Sequence, residues 1–105
     1  MRVASNCGSE FEWVEHAEYA RGAGLTDFEI EMVAQSIGAG SWSDAERALL
    51  TAADELHSGT DVSDSTWSVL ATHYDAAALV EILFVVGQYT MLSMVANAAG
   101  IPAES

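Results

Sequence analysis

The sequence is poor in positive charge. It contains no lysine and only 3 arginines against 16 acidic residues, which gives a formal net charge of −13 at pH 7. A chain of this charge repels the phosphates of nucleic acids and the anionic headgroups of lipid surfaces. We therefore expect neither nucleic acid nor a membrane as a partner.

Cysteine and metal-binding motifs are also scarce. Cys7 is the only cysteine, so no intrachain disulfide can form, and we expect a reducing, cytoplasmic location. No H-E-x-x-H motif or Cys/His cluster is present, so the sequence predicts neither a metal nor a cofactor. The first eight residues contain no apolar run, and we expect no signal peptide.

Alternation of apolar and polar residues with period two is missing, which argues against a sheet, whereas the helical period recurs along the chain. The 105 residues, half of them apolar, suffice for one core. Five helices are expected, and the predicted starts are Ser9 or Glu10, Thr26, Ser43, Ser63 or Asp64, and Asp75. The predicted ends are Gly22 or Gly24, Gly38 or Gly40, the loop Ser58-Gly59-Thr60, Tyr74, and Gly100. Residues 1–105 are therefore predicted to form one all-α domain, a bundle of about five helices.

The last of these helices is unusually apolar. The segment 76–101 is long enough to raise the question of a membrane span, but it contains Glu81, Gln88 and Asn97 and has no flanking lysine or arginine. We therefore expect a buried helix. Because four short amphipathic helices cannot easily cover a helix that is apolar on most sides, the sequence also predicts a homo-oligomer.

One stripe of polar residues carries the candidate chemistry. Ser9, Glu12, His16 and Tyr19 recur at helical spacing on the first predicted helix. A carboxylate one turn before an imidazole orients the ring and forms a plausible acid–base pair. From spacing alone, a surface ion pair worth roughly 0.2–0.5 kcal/mol is the alternative interpretation. His57 and His73 fall in last turns of helices, where capping explains them.

Several segments resemble a known family, the carboxymuconolactone decarboxylase family, also called alkylhydroperoxidase D-like. The similarity covers roughly residues 3–101 and includes a Glu-Trp-x-x-His run typical of one branch. The matching segments are 6–16, 20–21, 23–25, 29–30, 42–50 and 87–92. The resemblance implies an alkylhydroperoxidase D-like helical bundle that assembles as trimers or hexamers. Family members also carry N-terminal helices that contribute to the site, and the resemblance implies that this part is missing here.

The resemblance also implies a reaction class. Peroxidase members use a Cys-x-x-Cys-x-x-x-His motif, and its two cysteine positions correspond here to Ser9 and Glu12, while His16 is kept. Since the thiolate is the nucleophile in that chemistry, thiol peroxidase activity is not expected. The lactone decarboxylase members resemble this chain in placing a glutamate one turn before the histidine. Glu12 and His16 are therefore the expected catalytic residues of a small-molecule lyase.

The substrate of such a lyase would be an anion, a carboxylated lactone, and arginine binds carboxylates best. We assign substrate binding to Arg21, with Tyr19 and Ser9 from the same helix. Two other functions remain open at this stage. The chain could be a non-catalytic oligomeric binding or scaffold protein that keeps the fold, or it could retain a residual peroxidase or antioxidant role.

Overall fold

Helices form most of the chain, and no strand occurs in residues 1–102, which are the residues that the computed structural model describes. Helix accounts for 78% of them. The six α-helices are α1 (Arg2–Cys7), α2 (Glu10–Gly22), α3 (Asp27–Ala34), α4 (Asp44–Gly59), α5 (Asp64–His73) and α6 (Ala76–Ala99). A 3₁₀ turn, Ile37–Ala39, links α3 to α4. The all-helical class predicted from the sequence is confirmed.

The predicted helix starts are confirmed by their capping contacts. Each N-cap side chain accepts the backbone N–H three residues further on, which satisfies one of the free donors of the first turn. These N-caps are Ser9, Thr26, Ser43, Ser63 and Asp75. At Thr26 and Ser43 the third helical residue, a glutamate, returns the contact and completes a capping box. The last helix ends as predicted at Gly100, which has a left-handed φ of 68°.

The predicted number of helices is wrong, because α1 precedes the first predicted helix. It has six residues, no side-chain N-cap contact and one buried residue, Ala4. Six residues are too few to show a hydrophobic period. The one local signal is Gly8, whose left-handed φ of 66° ends the helix.

The predicted end of the second helix is also wrong. It was placed at Gly38 or Gly40, but α3 ends at Ala34, where Gln35 turns to an extended conformation with ψ 172°. The guanidinium of Arg2 donates to the carbonyl oxygens of Val33 and Gln35. Because these carbonyls gain a partner from outside the helix, α3 can end without a further helical turn.

Arg2 is the link between α1, α3 and α4. Besides the two carbonyls of the α3 end, it donates two hydrogen bonds to the Asp54 carboxylate of α4, at 2.8 and 2.7 Å. Asn6 donates a third, at 2.8 Å. The hydrogen bond from Arg2 lowers the pKa of Asp54, Asn6 adds to this effect, and partial burial opposes it. The contact therefore holds α1 in place beside α4.

The core is small and rich in alanine. Ala48 and Ala52 of α4, Leu70 of α5 and Leu79 of α6 form the buried cluster. Small side chains let α4 and α5 approach closely, but they bury little apolar surface per residue. This core therefore lies between α4, α5 and the first turn of α6.

Helix α6 is covered on one face only. Its buried residues are Leu79, Ser93 and Ala96, and only 11% of its most apolar window is buried. The expected burial within one chain is thus not observed, because the short neighbouring helices leave the opposite side open. By length and composition α6 could cross a membrane, with a mean hydropathy of 1.7, although the core helix of a soluble protein has the same properties.

We predict that Arg2→Ala lowers the free energy of unfolding by about 2 kcal/mol at pH 7, because it removes a charge-assisted pair and two carbonyl contacts. The pKa of Asp54 is depressed below its ordinary 3.8, so this stabilisation is present above that pH and is lost as the pH falls through the folded-state pKa. Urea unfolding at pH 7 and at acid pH measures both effects.

Arg47→Ala is the matched control, since Arg47 is exposed and forms no ion pair within residues 1–102. It should change stability by less than about 0.5 kcal/mol. Equal effects of the two substitutions would contradict a specific role for Arg2.

Candidate active site

The N-terminal end of α2 places the candidate catalytic residues. Ser9 is almost fully buried, and its hydroxyl accepts the backbone N–H of Glu12 at 3.3 Å. This cap fixes where the helix begins, and it puts Glu12 in the first turn, where the helix dipole favours a carboxylate. Glu12 is itself buried.

Glu12 and His16 are in contact, as the spacing predicts. His16 Nε2 lies 3.2 Å from Glu12 Oε2, with 24% of the His16 side chain and 10% of the Glu12 side chain exposed. This is an ion-pair distance, and within residues 1–102 neither ring nitrogen of His16 makes a hydrogen bond. The Glu12 carboxylate therefore lies beside a partly exposed imidazole, and the two groups form an ion pair when the ring is protonated.

Two tyrosines flank the imidazole. The ring of Tyr89, from α6, meets it edge-on with centroids 4.7 Å apart, and the ring of Tyr19 lies at 5.7 Å. Sequence reasoning assigned no role to Tyr89, although it lies in the 87–92 segment that resembles the family. Because Tyr89 and His16 are far apart in the chain, only the packing of α6 on α2 brings them together.

Two further groups near the site have no sequence signal. Ser93, one turn after Tyr89 on α6, has a buried hydroxyl without a hydrogen-bond partner in the described part of the chain. Burial lowers the pKa of the Met1 amine, and the Glu12 carboxylate partly opposes that shift. Helix α1 positions the Met1 amine, and helix α6 positions Ser93. The way these helices pack cannot be read from a local sequence pattern.

Of the predicted substrate-binding residues, Tyr19 lies beside His16, whereas Ser9 and Arg21 are engaged in other contacts. The Ser9 hydroxyl is engaged in the helix cap, and Tyr19 is 69% exposed. Arg21 instead pairs with Glu18 and Asp27, each at 2.8 Å. Its hydrogen bond to Asp27 is the main cause of its raised pKa. Within residues 1–102 no ion pair joins Arg21 to Glu12.

Cys7 lies apart from this pair. Its sulfur is 3.9 Å from His57 Nδ1 of α4, a contact across the chain that sequence spacing could not show. Cys7 is the only cysteine, so no second thiol exists to resolve an oxidised one. No group of three or more histidine, cysteine or acidic side chains suited to a metal ion occurs among the described residues.

No known protein-family model matches the chain, and neither a curated protein nor a solved structure matches it significantly. The membership suggested by the Glu-Trp-x-x-His run therefore stays a prediction from the motif residues.

We predict that the protein shows no thiol-dependent peroxide turnover above a Cys7→Ser control. The family resemblance predicted from the sequence puts Ser9 and Glu12 at the positions of the reacting thiols of peroxidase members, and the thiolate is the nucleophile of that reaction. Peroxide consumption in the presence of a dithiol reductant measures this. Robust turnover that vanishes in the Cys7→Ser variant would refute the prediction.

Proposed function

We propose that this protein is a small-molecule lyase of the carboxymuconolactone decarboxylase type, with Glu12 and His16 as its acid–base pair. The observation that carries the proposal is the burial of the Glu12 carboxylate 3.2 Å from a partly open imidazole. A surface ion pair would leave both groups in water. A buried carboxylate is costly unless it is paired, so this arrangement favours a positioned pair over a chance contact.

The proposed reaction is the decarboxylation of a carboxylated lactone. The carbon–carboxylate bond breaks, carbon dioxide leaves, and the electron pair passes into the conjugated lactone carbonyl to form an enolate. A carbon of this enolate then takes a proton from the His16 imidazolium, which is replenished from solvent. Glu12 orients the ring and stabilises its positive charge. Each turnover therefore consumes one proton.

We further propose that the protein works as a homo-oligomer, a trimer or a hexamer, in the cytoplasm. Tyr89 of the site belongs to α6, the helix whose apolar side chains are least covered by the chain itself. Apolar surface of this extent is typical of an interface between subunits.

A non-catalytic oligomeric binding or scaffold protein is the second candidate. It is favoured by the position of Arg21, the predicted substrate-binding cation, which is paired with Glu18 and Asp27 instead of lying beside His16. An anionic substrate needs such a cation. Activity of the purified protein distinguishes the two candidates.

We predict that the protein releases carbon dioxide when it is given a carboxymuconolactone, as followed by the carbon dioxide that is evolved when the reaction is acidified. His16→Gln keeps a polar side chain but removes the proton donor, so turnover should fall by a factor of about 100 or more. His73→Gln, at an exposed histidine of α5, is the matched control and should retain turnover.

Two results would count against the lyase. Equal activity of wild type and His16→Gln would remove the role of His16. Absence of turnover, together with ligands in a thermal-shift screen that stabilise wild type and His16→Ala alike, would favour the binding protein.

We predict an assembly of three or more chains at micromolar concentration, because the uncovered face of α6 is apolar. Sedimentation velocity measures the mass directly. A monomer at this concentration would overturn the proposed assembly.

A further inference from the structure

The uncovered face of α6 carries a regular stripe of uncharged residues. Successive members are spaced alternately by four and three residues, which is the spacing of the seam of a coiled coil. We call this stripe the α6 seam, and its members are Val80, Phe84, Gly87, Met91, Met94 and Ala98. All six are exposed. The spacing holds over almost the whole helix, so the seam is a continuous surface rather than scattered apolar residues.

The α6 seam is distinct from the face that α6 turns toward its own chain. The buried residues Leu79, Ser93 and Ala96 lie outside the seam. Helix α6 therefore has one face that is packed against the chain and a second face that has the pattern of a packing surface but no partner within residues 1–102.

We propose that the α6 seam pairs antiparallel with the seam of a second copy of this chain. This inference rests on the proposed homo-oligomeric assembly and specifies the surface and direction of one of its contacts. The area, charge and shape of the seam favour a second copy of the chain as its partner.

The area of the seam suits an interface between two protein chains. Its four largest side chains are 51% to 72% exposed, which amounts to on the order of 450 Å² of apolar surface. A standard interface buries about 800 Å² on each partner, a little over half of it apolar. The seam alone therefore provides the apolar part of such an interface.

The charges favour a protein partner over a lipid bilayer. Glu81 and Gln88 border the seam, and α6 has no basic residue in its first or last turn. Membrane spans are usually flanked by basic residues on one side, and the net charge of −13 repels anionic headgroups. A second copy of the chain carries the same net charge, but it would meet the seam through uncharged residues alone.

The shape of the seam is complementary to itself. At Gly87, a side chain would meet nothing within 4 Å, and a shallow hollow of about 430 Å³ is open between Phe84 and Met91. Glycine inside a helix is destabilising relative to alanine, so its presence at the middle of the seam indicates close approach of another helix. Met91 has the length to fill this hollow on a second copy.

An antiparallel register sets the two smallest residues of the seam, Gly87 and Ala98, opposite larger ones. Placing Met91 opposite the partner's Gly87 also places Phe84 opposite the partner's Met94. The ends of the seam then match Val80 with the partner's Ala98. A parallel pairing would instead set Phe84 against the same residue of the second copy and leave two glycines facing each other.

The antiparallel register also separates the acidic side chains. It keeps the two copies of Glu81 roughly 24 Å apart along the helix axis, at 1.5 Å per residue. A parallel pairing would hold them at the same level, where like charges repel. This pairing has two-fold symmetry, so of the two proposed assemblies it fits the hexamer, built from three pairs, and not the trimer.

Disulfide cross-linking tests the register in the chain of 105 residues. In a Cys7→Ser background, Val80→Cys and Ala98→Cys variants are co-expressed, and each is also expressed alone. Mild oxidation should cross-link the co-expressed pair, whereas neither variant alone should form cross-linked dimers. Cross-linking of Val80→Cys alone would indicate a parallel pairing and overturn the proposal.

Exchanging the large residue Met91 and the small residue Gly87 tests their contact across the seam without oxidation. Gly87→Met fills the hollow and should weaken association at least tenfold by sedimentation, as should Met91→Gly. The double variant restores one large and one small residue at each contact, so it should associate more tightly than the weaker of the two single variants. Val69→Met, at an exposed site on α5, is the control and should leave association unchanged. If the double variant associates no more tightly than the weaker single variant, the proposed pairing is overturned.

The remaining outcomes separate this inference from the assembly on which it rests. An oligomer without the Val80–Ala98 cross-link, or a trimer, would overturn the seam pairing and leave the homo-oligomer standing. A monomer would overturn both. Flotation of the protein with neutral phosphatidylcholine vesicles would show that the seam binds lipid, and it would overturn pairing with a second copy.

Discussion

The placement of α1 by Arg2 is the interaction on which the arrangement around the candidate site depends. The guanidinium of Arg2 holds Asp54 of α4 and the carbonyls at the end of α3 at once. Helix α1 in turn packs on α6 and α2, and the Cys7 carbonyl accepts a hydrogen bond from Asn97 of α6. Helices α2 and α6 together carry His16 and Tyr89. A chain with three arginines therefore uses one of them to organise the fold.

The candidate site combines a contact between neighbouring residues, Glu12 and His16, with burial by distant parts of the chain. Contact between Glu12 and His16 follows from one turn of helix, so any chain with this spacing on a helix can form it. Burial of the carboxylate does not follow from spacing, because it depends on the packing around α2. The α6 residues Tyr89 and Ser93 belong to this packing. The burial of the carboxylate distinguishes this pair from an ordinary surface contact.

The sequence predicted those features that depend on neighbouring residues. Capping residues such as Thr26 and Ser43 indicate helix starts in the sequence, because their contacts span only three residues. Helix α1 and the early end of α3 were missed, since a short uncapped helix shows no period and Arg2 acts from far along the chain. The same limit applies to the site. The contact of Glu12 with His16 was predictable, whereas Tyr89 and the pairing of Arg21 with Asp27 were not.

The alanine-rich core limits the stability that a single chain gains from folding. Ala48 and Ala52 bury little apolar area, so a single chain gains less from folding than a chain with larger core residues. If folded chains associate and unfolded chains do not, mass action stabilises the folded state. The melting temperature then rises with the total amount of protein, and dilution alone acts as a mild denaturant.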